Sequence, residues 1–148
     1  MDLSKLFSSA KIPVIAAIVV AVIAVAFNLF SFNNPAIDFD LSYNISNVLS
    51  AIIVLLVIWS GYSLAKTDGK LIDTAIFGAI IGAVLAVIYT IGNEMVYSKQ
   101  AELFADMPYS FELGGFIASL VLYIVVFAVL GAIAIVIGSF IEKNLNKK

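Results

Sequence analysis

The chain contains no cysteine, no histidine and no arginine. Without cysteine there are no disulfides, no thiolate nucleophile and no sulfur-ligated metal cluster. Without histidine the usual general base near neutral pH and the commonest transition-metal ligand are missing. Without arginine there is no bidentate clamp for phosphate or carboxylate. Charge is scarce as well: only 12% of the 148 residues are charged, against 63% hydrophobic, with a net charge of −2. A soluble domain is nearer one quarter charged and half apolar, so the composition is that of a membrane protein. Eight lysines against ten acids form no basic surface, so nucleic acid is not an expected partner. The expected environment is the lipid bilayer.

What the chain has in place of charge is four long apolar runs, over residues 12–32, 48–65, 71–91 and 113–141. A hydrocarbon core takes about 20 helical residues to cross. The runs lack the period-two alternation of a barrel strand, which leaves helices as the spanning structure. The expected fold is therefore all-α: a polytopic bundle of four transmembrane helices forming one domain over residues 1–148, arranged as two antiparallel hairpins. Pro13 fits the first turn of the first span, and Ser46 or Asn47 can cap the second. The first run is too long for the apolar core of a cleavable signal and no small-residue cleavage pattern follows it, so it reads as an uncleaved anchor. The fourth run exceeds a perpendicular crossing, so it tilts or carries Gly114 and Gly115 into the headgroup region.

Seven lysines (5, 11, 66, 70, 143, 147 and 148) fall on one side of a four-span layout and Lys99 alone on the other. That asymmetry predicts a multi-pass protein of the cell (plasma) membrane with both termini in the cytoplasm. The short connection around Asp68-Gly69 predicts that the second and third helices are antiparallel neighbours. Two amphipathic segments flank the spans. Residues 1–11 place Leu3, Leu6, Phe7 and Ala10 at helical spacing on the cytoplasmic side. Residues 93–108 predict a short outer loop helix, with Asn93 at its start and Pro108 at its stop. "AIVVAVIAVAF" aligns without gaps to "AIIGAVLAVIY", and "IWSGYSLAK" to "IVIGSFIEK". Two such matches suggest a parallel duplication about an axis along the membrane normal.

The candidate residues are mostly small. Thr74, Gly78, Gly82 and Ala86 recur every four positions, and Gly131 and Gly138 offer matching surface on the fourth helix, as do Ala17, Ala21 and Ala24 on the first. Lipid supplies little hydrophobic drive for helices to associate, so close backbone approach at small residues has to supply it. The stripe packs either inside the chain or against a homo-oligomer partner or other membrane subunits. Asn28 and Tyr123 are the intramembrane polar groups that stand out. Asn28 is expected to hydrogen-bond between helices or to touch a pore or ligand. Aromatics gather at the run ends, as in a headgroup-level belt. The outer loops carry Asp38, Asp40, Glu94, Glu102, Asp106 and Glu112, either solvated or forming a weak calcium site. Asn44-Ile45-Ser46 is a glycosylation sequon beside the second span.

No carboxylate lies at mid-span and no nucleophile–base pair, metal triad or cofactor motif is present, so enzymatic activity is not expected. The expected function is that of a non-catalytic structural or accessory membrane subunit, or a small scaffold, packing through its small-residue grooves. The alternative is a small transporter or passive channel acting as an oligomer. A polar cavity reaching the level of Tyr123 would favour that alternative.

Overall fold

A computed structural model describes residues 3–32, 34, 37–66, 70–103 and 111–145. Four helices account for nearly all of them: α1 (Leu3–Phe32), α2 (Phe39–Ala65), α3 (Leu71–Leu103) and α4 (Leu113–Leu145). Each of the four is long and apolar enough to cross a membrane. At 1.5 Å per residue they extend roughly 40–50 Å, longer than the hydrocarbon alone requires.

All four helices run past their apolar stretches, α1, α2 and α3 by two turns or more. α1 does not open at Pro13; it starts at Leu3 and carries Pro13 in its interior. The flanking segment and the span share one buried stripe, Leu6, Ala10, Val14, Ala17, Ala21 and Ala24, so the core holds the helix continuous through the proline. α2 starts two turns before Ser46. Its N-cap is Asp38, whose Oδ1 accepts from the Leu41 amide at 2.6 Å. α3 runs unbroken through Asn93 to Leu103, so residues 93–103 extend the third helix and do not form a separate one. Residues 104–108 of the expected outer helix lie outside the described residues.

The packing order is the main departure from expectation. α4 packs against α3 and α2, and α1 against α2 and α3, whereas α2 and α3 touch only slightly and α1 and α4 do not meet. Going round the bundle the order is α1, α2, α4, α3. The short connection therefore joins a diagonal pair, not the neighbours its length suggested. Glycine explains the insertion of α4 between them. On α4, Gly138 meets the Ile58 and Tyr62 backbone of α2, while Gly131 meets Gly78 and Gly82 of α3. The same order is at odds with a duplication about an axis along the bundle. Such a twofold would carry α1 onto the diagonal position, and α3 is its neighbour.

The core consists mainly of Ala10, Val14, Ala17 and Ala21 of α1, Ile53, Val57 and Leu64 of α2, Phe77, Ile81 and Leu85 of α3, and Ile135 of α4. The first four turns of α4 half-bury only one narrow face, Phe116, Leu120, Ile124 and Phe127, while Leu113, Ile117, Val121, Leu122 and Val125 are exposed. An apolar cleft of about 270 Å³ opens between α2 and α4, floored by Gly82 and Leu85 of α3.

Candidate functional site: a polar vestibule at one end of the bundle

Polar side chains concentrate where α1 ends and α2 begins. The half-buried Asn28 accepts a hydrogen bond at Oδ1 from the Ser46 hydroxyl, 2.7 Å away on α2. One turn further along α1, Ser31 donates to the Asn28 carbonyl at 2.9 Å. Its oxygen also lies 2.9 Å from the Ser42 hydroxyl. A serine has one proton, so with Ser31's committed to Asn28, Ser42 is the donor to Ser31. The turn between the helices is held by Asn34 N–H to the Ser31 carbonyl and Ile37 N–H to the Asn34 carbonyl, at 3.3 and 3.0 Å.

These groups line a cavity of about 400 Å³ together with Asn34, Ile37, Asp38 and Tyr43, closed on the α3 side by Asn93 and Val96. Asp38 is its carboxylate, and no lysine lines it among the described residues. The Asn93 side chain has no hydrogen-bond partner among the described residues. One turn below Ser46 and Asn93, Ser50 of α2 and Tyr89 of α3 bring their hydroxyls near each other. Tyr89 packs against Phe127 of α4 with the rings tilted by 43° and their centroids 5.8 Å apart, and Phe127 meets Tyr123 edge-on at 6.3 Å. Tyr89, Tyr123 and Phe127 lie below the cavity without lining it, and beneath them stand the apolar side chains of the core.

The remaining candidate residues lie deeper. Thr74, Gly78, Gly82 and Ala86 are all buried on α3. A methyl group on Gly78 would stand 2.5 Å from the Gly131 carbonyl oxygen, and one on Gly131 would stand 3.1 Å from Gly82 Cα. Gly82 meets the Phe127 and Ala128 backbone, so both α3 glycines face α4 of the same chain. Thr74 and Thr90 return their hydroxyls to the carbonyls of Lys70 and Ala86, at 3.2 and 2.8 Å, and so need no partner helix. Tyr123 is exposed.

Sequence reading missed two elements of this arrangement. Gly61 belongs to the α2–α4 contact, with the Ser139 hydroxyl donating to its carbonyl at 3.1 Å. Ser42, Ser46 and Ser50 form a four-residue polar spacing that marks the vestibule face of α2, a signal present in the sequence. It was obscured because α2 begins earlier than its apolar run. Glu142, in the last turn of α4, is only 9% exposed.

No family model matches the chain, and no curated protein or solved structure shows significant similarity to it.

Proposed function

We propose that the protein is a non-catalytic, four-span subunit or scaffold of the plasma membrane, inserted as two antiparallel hairpins with both termini in the cytoplasm. Large apolar side chains are exposed along all four helices, among them Ile15, Val22, Leu55, Ile80, Val121, Leu130 and Phe140. Soluble monomers rarely leave apolar patches beyond a few hundred Å² facing water, whereas lipid accepts them. The lysine asymmetry supports the orientation. In that frame the vestibule faces outward, and the glycine contacts of α4 hold the bundle from within.

One observation carries the scaffold reading over transport. The polar cavity ends at Asn28, Ser46 and Asn93, and the buried core below it is alanines, aliphatics and Phe77, with the buried hydroxyls of Ser60, Thr74, Thr90 and Ser139 each donating to a backbone carbonyl. A conducting path or a coupled transporter needs polar groups or carboxylates near the midplane. A liposome flux assay with small ions and neutral solutes tests this. The wild type and Asn28→Leu are expected to be equally impermeable, and flux through the wild type that Asn28→Leu abolishes would overturn the scaffold reading. Purification in mild detergent followed by mass measurement then tells a homo-oligomer from a complex with other subunits.

A further inference from the structure

We infer that the vestibule binds a compact ammonium group, supplied either by a free primary amine or by an amine-bearing lipid headgroup. The cavity is polar, concave and about 400 Å³ in volume, within the range of small-ligand sites. Its chemistry is lopsided toward acceptors. Asp38 gives Oδ1 to the Leu41 amide, and a carboxylate has about four lone-pair sites, so acceptor capacity remains after capping. The protons of Ser31, Ser42 and Ser46 are committed within the network, so these hydroxyls present lone pairs, and the donors left on the wall are the side-chain amide N–H groups of Asn28 and Asn93.

An ammonium group carries three donors and no acceptor, the complement of that wall. Phosphate and carboxylate have the opposite character; they would meet Asp38 with no lysine beside it among the described residues. The Asn93 amide, which lacks a partner among the described residues, supplies the acceptor from α3. A bound ammonium would thus be touched from both α2 and α3, which otherwise meet only slightly. The lipid source rests on the outward, membrane-level placement proposed above; the free-amine source does not.

The test is a titration of the full chain by NMR, following the asparagine side-chain amides. Ethanolamine is added to the protein in detergent micelles. Nanodiscs of phosphatidylethanolamine are compared with nanodiscs of phosphatidylcholine and of phosphatidylglycerol. Saturable shifts of Asn28 and Asn93 with ethanolamine assign a soluble amine; shifts confined to the phosphatidylethanolamine discs assign the headgroup. Either supports the inference when Asp38→Asn weakens the response about tenfold or more, since asparagine caps a helix as well as aspartate and leaves α2 in place. Asn93→Leu, with unchanged helicity, is expected to weaken it too. Equal responses in wild type and Asp38→Asn, or no saturable response to about 50 mM amine in micelles and none in any nanodisc, would overturn the inference, with ~1 mM–1 µM the usual scale of small-ligand sites. That failure leaves the flux result untouched, so the two proposals fail separately.

Discussion

A glycine contributes here by what it lacks. A methyl group on Gly138 would run into the Ile58 carbonyl and approach the Tyr62 amide nitrogen at 2.8 Å, both backbone atoms that cannot swing aside. Alanine gains about 1 kcal/mol of helix propensity over glycine, but overpacking typically costs 1–3 kcal/mol, so the collision wins. Gly138→Ala should therefore lower the thermal midpoint in detergent. Gly114→Ala, where nothing stands within 4 Å, should leave it unchanged or raise it slightly. Equal effects at the two positions would show that the α2–α4 contact is not tight. The Asn28–Ser46 bond is the polar counterpart. A double-mutant cycle of Asn28→Leu and Ser46→Ala should give a coupling of about 0.6–2 kcal/mol, the range for hydrogen bonds between membrane helices. A coupling near zero would place the two side chains apart.

At the scale of the element, helix ends decide what is accessible. The sequon at Asn44 lies inside α2, six residues past its cap, and the Ser46 hydroxyl it requires is bonded to Asn28. Glycosylation acceptors sit on surface loops. Expressed in a glycosylating host, the chain should run on a gel identically before and after glycosidase treatment; a mobility shift would mean that the first turns of α2 unwind. Asp38→Ala should cost about 0.5–2 kcal/mol through the lost cap, measured by denaturant unfolding, while Asp38→Asn costs little.

The number and approximate position of the helices were legible, because four apolar runs of sufficient length admit few other structures. Their ends were not. Hydropathy marks where apolar character stops, whereas α2 begins in "DLSYNIS", a polar helical stretch that faces a cavity. Asn93 looked like a cap but lies within α3, with Gly92 against Val25 of α1: a methyl there would come 2.5 Å from Val25 Cγ2. The glycine stripe was legible as small-residue spacing, but which helix it met was not, since four-residue spacing is identical on a neighbour and on a partner chain.

At the scale of the whole molecule, loop length was a poor guide to adjacency. α2 and α3 are joined by a few residues and yet stand diagonally, because Gly131 and Gly138 let α4 approach both backbones and take the place between them. The result is a bundle with an apolar middle, a polar cup at one end, and an α4 whose first half is the more exposed one. Of the four helices α4 is the least buried.

The native chain has no cysteine, so single cysteines can report its orientation without background. Ser98→Cys, near the far end of α3, and Asn144→Cys, near the end of α4, are each treated with a membrane-impermeant maleimide in intact cells and after permeabilisation. Four crossings with internal termini predict labelling at 98 in intact cells and at 144 only after permeabilisation. Labelling of both positions in intact cells, or of 144 alone, would contradict it.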